Sequence, residues 1–230
     1  MKKKLNEKRQ QLSRRDFIKA SGTLGVAAIL SNTGRMFAAG SDKVRVGLIG
    51  CGGRGVYDTT NCLNSAENIE LVAMGDLFKD HLDGALQALK NKPDEKDKPG
   101  EKDKLAEKVK VTEDSCFVGW DAYKKVVARD DVDMVILTEA PHFRAEHLKA
   151  AVEAGKHVFM EKPVAVDPVG VRSVIESSAL ADKKKLTIVA GTQMRRIAHL
   201  VAIMERIHNG DLGRILGGQC VRFGDGMLGW

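Results

Sequence analysis

The feature that most constrains this 230-residue chain is a glycine cluster, Gly50-Cys51-Gly52-Gly53-Arg54-Gly55, directly after the apolar, β-branched run Val44–Ile49. Such a run predicts a buried strand, and the following Val56–Leu63 is compatible with a helix. Gly50, Gly52 and Gly55 thus form a G-x-G-x-x-G at a strand-to-helix junction. The first glycine permits a tight turn, the second lets the backbone approach a pyrophosphate, and the third lets helix and strand pack closely. Phosphates are favoured there by the free N–H groups and dipole of the helix N-terminus. The next strand-like run, Ile69–Met74, leads to Gly75-Asp76, 21 residues beyond Gly55. A carboxylate at that point accepts hydrogen bonds from both ribose hydroxyls and repels a 2′-phosphate, which predicts NAD in preference to NADP.

Strand-like and helix-like segments then alternate. Helical pattern covers Lys79–Lys90, Trp120–Ala128, Ala145–Ala154, Pro168–Lys183 and His199–Asn209. Strands are predicted at Val109–Thr112, Val132–Thr138, Val158–Met160 and Leu186–Ala190. Alternation of this kind gives an α/β fold, a Rossmann-type doubly wound parallel sheet, here assigned to residues 43–212. Residues 90–108 hold seven Lys, six acids, two prolines and one glycine. With so little to bury, they read as a solvated charged insertion.

The formal charge of +6 is concentrated at the start. The first 40 residues carry nine Lys/Arg against two acids, so the remainder is close to neutral, at about −1. No nucleic-acid footprint is left in that remainder. The same 40 residues run from a basic stretch into the short, weakly apolar Gly22–Leu30, then into Met36-Phe37-Ala38-Ala39-Gly40. The apolar part is too short for a stable membrane span. Ser13-Arg14-Arg15-Asp16-Phe17-Ile18-Lys19 resembles the twin-arginine export signal. Residues 1–39 are therefore expected to be a leader read by the twin-arginine machinery, with a periplasmic destination. Cys51, Cys62, Cys116 and Cys220 lie far apart without a C-x-x-C pair, which predicts reduced thiols and no metal site.

Glu161-Lys162-Pro163 follows a strand at the carboxyl edge of the sheet, where ligands bind in such folds. A lysine there can hydrogen-bond a substrate hydroxyl and stabilise negative charge as it develops. The glycine loop, the strand ending at Asp76 and the segment Ala154–Asp167 (AGKHVFMEKPVAVD) together resemble the Gfo/Idh/MocA family of glucose–fructose oxidoreductases and inositol dehydrogenases, over about residues 43–223. The resemblance implies Lys162 as the catalytic residue, beside the nicotinamide and the hydroxyl that is oxidised. It implies a cofactor lining of Gly50, Gly52, Gly53, Arg54, Gly55, Asp76, Thr138, Pro141, His142, Glu161 and Lys162, the part from Thr138 to His142 being a loop. Gln193 and Arg195 resemble substrate-side positions. One position departs from the pattern: many members carry a His where this chain has Arg144, which leaves that residue to cap a helix or pair with an acid.

Gly213-Arg214-Ile215 and Leu216–Phe223 resemble the crossover into the family's second, α+β substrate domain. One strand is not stable alone, so residues 213–230 read as the start of a truncated domain. The implied activity is oxidation of a sugar, pyranoside or cyclitol hydroxyl by an exported enzyme with a retained cofactor, homo-oligomeric when full length. Two alternatives stand beside it: redox-neutral glycoside cleavage, known in the same family, and non-catalytic NAD binding.

Overall fold

The computed structural model describes residues 42–90, 101–219 and 221. By internal contacts the chain divides into a unit ending at Val189 and a second beginning at Ala190. The leader and its arginine pair lie outside the described residues.

The sheet has six strands: β1 (Val44–Ile49), β2 (Ile69–Asp76), β3 (Cys116–Val118), β4 (Met134–Leu137), β5 (His157–Met160) and β6 (Ile188–Ala190), the last residue of which begins the second unit. Their spatial order is β3-β2-β1-β4-β5-β6. β1 pairs in parallel with β2 on one side and β4 on the other; β2/β3 and β4/β5 are also parallel. The chain winds outward through β2 and β3, then returns to β4 beside β1. Neighbouring connections thus diverge between β1 and β4 and leave a crevice at the carboxyl ends of those strands. Helices α1 (Gly53–Ser65), α2 (Lys79–Lys90), α3 (Glu101–Lys108), α4 (Ala122–Val127), α5 (Pro141–Glu153) and α6 (Pro168–Lys184) fill the connections.

The strands are almost uniformly apolar because both faces of a parallel sheet are covered. Val46, Leu48, Leu71, Met74 and Ile136 pack with Leu63 of α1 and with Leu82 and Leu89 of α2. Each fully buried side chain of this size contributes about 1.5–3 kcal/mol. Local sequence sets the helix ends. At α6, Asp167 accepts a hydrogen bond from the Gly170 N–H at 2.6 Å, and Pro168 takes the first helical position. Lys156, buried just before β5, donates its ammonium to the Arg129 and Val132 carbonyls at 2.7 and 2.8 Å. The AGKH segment thereby ties the start of β5 to the turn before β4.

Two expectations are corrected. Residues 90–108 are not wholly a solvated insertion: 101–108 form α3. Leu105 of α3 is buried in the main core, and the Lys108 ammonium donates to the Leu63 and Ala66 carbonyls at 2.7 and 2.6 Å. One apolar side chain and one terminal ammonium dock a helix whose charge masked it in the sequence. Residues 91–100 of the expected insertion lie outside the described residues. Val109–Thr112 is not a strand. Val109 makes one bridge to Leu71, and Val109 and Val111 fill the core as an extended linker. The Thr112/Ser115 hydrogen bonds then close a 3₁₀ turn, Glu113–Ser115, and the strand beside β2 is Cys116–Val118.

The second unit contains a 3₁₀ turn, Gln193–Arg196, and α7 (Ala198–His208). Among the described residues no helix is long and apolar enough to cross a membrane.

At the β5/β6 side of the sheet, the Thr187 N–H donates to His157 Nδ1 at 3.0 Å, so that nitrogen must be unprotonated. Burial lowers the His157 pKa, partly opposed by Asp133. Below the ordinary histidine value the unfolded chain therefore binds more protons than the folded one. This contribution to stability is complete above about pH 6.5 and is lost as pH falls through the lower folded-state pKa. Melting temperatures taken from about pH 7.5 down to about pH 5 should fall more steeply for the wild type than for His157→Gln. Parallel curves would show that His157 does not titrate with folding.

Candidate cofactor site

The crevice is shaped by side chains that are missing. Gly50 has φ +91°, and a Cβ there would collide with the Glu139 backbone nitrogen and sit 2.7 Å from the Thr138 carbonyl carbon. A Cβ on Gly55 would strike the Gly50 carbonyl oxygen. Gly52 and Gly53, by contrast, face open space within 4 Å. The outer two glycines let the turn close against β4, and the middle pair leaves backbone uncovered at the start of α1. Gly52 is the N-cap of that helix, with no side-chain cap, so the first-turn N–H groups are left for a ligand. The Thr138 hydroxyl donates to the Gly50 carbonyl at 2.6 Å and fixes the turn from the β4 side.

Asp76 closes the other side. Its Oδ2 accepts from the Cys51 N–H at 2.6 Å and its Oδ1 from the Phe78 N–H at 2.8 Å. The side chain is 8% exposed. Held by two amides, the carboxylate keeps free lone pairs for ribose hydroxyls. The Cys51 thiol donates to the Gly75 carbonyl, and burial and then Asp76 push its pKa up. It is a packing group rather than a nucleophile.

A cavity of about 430 Å³ opens from the glycine turn. Gly50, Gly52, Asp76 and Thr138 line it, together with residues the sequence did not single out: Phe78, Trp120, Tyr123, Glu139, Phe143 and His147. Tyr123 stacks on His147 with ring centroids 4.0 Å apart and donates to Glu146 at 2.7 Å. Burial, and then the Glu146 hydrogen bond, push the Tyr123 hydroxyl up to about 12. Trp120 and Tyr123 flank the turn after a three-residue strand, so their aromaticity was the one available signal. Size, aromatic lining and uncovered amides suit the adenosine and pyrophosphate of a dinucleotide. Among the described residues no group of His, Cys, Asp or Glu is placed to hold a metal ion.

The remaining sequence candidates sit elsewhere. Pro141 and His142 are not in a loop, as expected, but in the first turn of α5. Proline is favoured at a first helical position, which brings the helix start forward from Ala145. Lys162 is exposed, follows β5 at the carboxyl edge of the sheet and precedes a cis Lys162–Pro163 bond. Neither it nor Pro141 or His142 lines the cavity. Gln193 and Arg195 are exposed on the 3₁₀ turn of the second unit.

Arg54 and Glu161, both expected at the cofactor, pair with each other at 2.6 Å, and Arg54 also meets Asp58 at 3.1 Å. Burial raises the Asp58 pKa against the pull of Arg54. This ion group joins the first turn of α1 to the end of β5. Arg144, whose role the sequence left open, is 2% exposed and donates to the carbonyls of Pro163, at 2.6 Å, and of Glu139. Its contacts span 5 and 19 residues, so no local pattern announces them.

The chain is 24% identical over 230 residues to a glycosyl hydrolase family 109 protein of Shewanella sp. strain W3-18-1, across 90% of this chain and 45% of that protein. It is 33% identical over 96 residues to inositol 2-dehydrogenase 3 of Saccharopolyspora erythraea, across 42% of this chain and 28% of that one. The chain thus spans less than half the length of the curated relatives it matches. Among solved structures, Lactobacillus casei scyllo-inositol dehydrogenase with bound NAD(H) and scyllo-inositol superposes with a TM-score of 0.56 at 21% identity, covering 75% of this chain and 43% of that one. It shares the fold. The family model for oxidoreductases with an NAD-binding Rossmann fold matches residues 44–192, from the first residue of β1 to just beyond β6. On that match, with the glycine turn and its carboxylate in place, the chain belongs to the Gfo/Idh/MocA oxidoreductase family.

Proposed function

We propose that this domain binds NAD in preference to NADP and serves oxidation of a hydroxyl-bearing carbon on a sugar-type or cyclitol substrate, with Lys162 as the catalytic residue. The observation that carries the reading is the pairing of two features at one sheet edge. The glycine turn with amide-held Asp76 lies beside β1 and β2, and Lys162 follows β5, on the other side of the β1/β4 divide. A dinucleotide laid across that divide has its adenosine ribose at Asp76 and its other end toward β5. NAD, when bound, supplies the two-electron acceptor for the substrate hydride. The chain's own groups do the rest. Uncovered amides of Gly52 and Gly53 receive the pyrophosphate, and Asp76 accepts from the ribose hydroxyls. The Lys162 ammonium donates to the substrate hydroxyl oxygen and stabilises the negative charge that develops there as the hydroxyl proton passes to solvent water.

A second reading has specific support from the family 109 glycosyl hydrolase relatives, which align over most of this chain. In it the oxidation is transient: the aglycone is eliminated, water adds, and the hydride returns to the same sugar. Both readings use the same cofactor site and the same lysine. They separate on products: accumulating reduced cofactor marks a dehydrogenase, and released sugar without net reduction marks a glycosidase.

We also propose export by the twin-arginine route, on Arg14-Arg15 before a weakly apolar segment, to the periplasm. Free NAD is scarce outside the inner membrane, so the site must retain its cofactor. A half-life of about a day with an on-rate of roughly 10⁶ M⁻¹s⁻¹ requires a dissociation constant near 10⁻¹¹ M, on the order of −15 kcal/mol. That is within reach of non-covalent complexes, and it favours mechanisms that return the hydride within each cycle.

Four outcomes are expected. In calorimetry on protein freed of bound nucleotide, NAD should bind at least about tenfold more tightly than NADP, and Asp76→Ser should narrow or reverse the preference; tighter NADP binding to the wild type would refute the assignment of Asp76. On the full-length enzyme, against a panel of inositols and pyranosides, Lys162→Ala should lower turnover about a hundred- to thousandfold while NAD affinity stays within a few-fold; unchanged turnover removes the role given to Lys162. Replacing Arg14 and Arg15 together by Lys should leave precursor in the cytoplasm, and normally exported protein should release a stoichiometric nucleotide on denaturation. Export of the double mutant at the wild-type level would sink the export assignment, and nucleotide-free exported protein would sink cofactor retention.

A further inference from the structure

We propose that Arg144 is a positioning residue: it pins the Lys162–Pro163 turn to the loop after β4 and so fixes the part of the crevice that receives the nicotinamide end of the dinucleotide. The proposal rests on the NAD-binding reading above and deepens it. Nothing in the glycine turn requires a buried arginine on α5. Desolvating a guanidinium is costly unless its hydrogen bonds are well met, and here two backbone carbonyls meet it. One terminal nitrogen donates to Pro163 O at 2.6 Å and the other to Glu139 O. These carbonyls belong to the loops at the carboxyl ends of β5 and β4, the two strands on the side of the divide away from Asp76. A planar fork bridges them in a way a single-point ammonium cannot.

The surrounding charges fit this role. The Glu139 carboxylate, 9% exposed, has Oε1 3.8 Å from Arg144 Nε and 3.5 Å from His147 Nδ1. Among the described residues neither of its oxygens, nor Arg144 Nε, has a hydrogen-bond partner. Glu139 is therefore a counter-ion that offsets the buried positive charge and leaves the guanidinium's two terminal nitrogens to the carbonyls. The turn is held from its other flank as well: Glu161 pairs with Arg54 and accepts from the Lys162 N–H at 3.2 Å. Lys162 thus lies between two residues that are each held by an arginine, one from α1 and one from α5. Glu161 acts through its own carboxylate, whereas Arg144 acts through a backbone carbonyl, beyond the reach of side-chain pattern.

The test compares two probes by calorimetry on the full chain after any retained nucleotide has been removed. NAD and ADP-ribose share the adenosine, the pyrophosphate and the second ribose; only NAD carries the nicotinamide. The wild type should bind NAD more tightly than ADP-ribose. Arg144→Met should keep ADP-ribose affinity within about threefold and lose on the order of tenfold for NAD, so the ratio collapses. Arg144→Lys, which keeps the charge and one carbonyl contact, should recover part of the ratio. Equal loss for both probes would show a role in general stability and overturn the proposal. So would an unchanged ratio in Arg144→Met, or a wild type that binds the two probes equally. If Arg144→Met does not fold, the Arg144→Lys ratio decides, and a wild-type ratio in that variant overturns the proposal. A wild type that binds neither probe refutes the NAD-binding reading itself, an outcome separate from any behaviour of Arg144.

Discussion

Everything in this domain's crevice depends on the close approach of the Gly50 turn to the backbone of Thr138 and Glu139. The turn closes with φ +91° at Gly50, and a side chain there would occupy the space of the next loop's peptide. Because the two backbones touch, the Thr138 hydroxyl can bond the Gly50 carbonyl. The start of α1 is then set at the edge of the sheet with its amides uncovered. Asp76 reaches back across the same turn to the Cys51 N–H. Binding surface, counter-charge avoidance and helix position thus follow from one contact between two main chains. Substituting Gly50 would disturb all three together, since both strain at positive φ and collision oppose a Cβ.

The division of labour across the sheet follows from topology. Strand order reverses between β1 and β4, so loops on the two sides diverge and leave room for an elongated ligand. On the β2 side the lining is aromatic and carboxylate-bearing. On the β5 side the exposed Lys162 stands on a turn held by Arg54 through Glu161 and by Arg144 through Pro163. Binding groups are carried by the rigid centre, and the lysine by a turn that needs bracing because it lies past the end of a short strand.

What was legible in the sequence is what short-range chemistry dictates. β1, β2 and the glycine turn could be read because a β-branched run, a turn that only glycine satisfies and a terminal carboxylate occur in order. α2 was legible from periodicity. β3 was not, because three residues beside β2 carry almost no pattern, while the more strand-like Val109 and Val111 go to the core as a linker. α3 was hidden because its docking relies on Leu105 and the Lys108 ammonium in an otherwise charged segment. At the site, Asp76 and Lys162 were singled out by their places at the end of β2 and just past β5. The buried Arg144–Glu139–His147 group was not, since its contacts are made through folding of α5 against the loops, and two of its acceptors are main-chain carbonyls.

The anchoring around the charged segment has a practical consequence. On its near side Lys90 donates to the Val111 carbonyl, and on its far side Lys108 donates to the carbonyls of Leu63 and Ala66 at the end of α1. Both boundaries are thus moored to framework away from the glycine turn. Doubling the length of a closed loop costs only about 0.6 kcal/mol, so chain can be added between these moorings at little thermodynamic expense. That makes the interval between Lys90 and Glu101 a natural port for an epitope, a fluorophore or a purification handle.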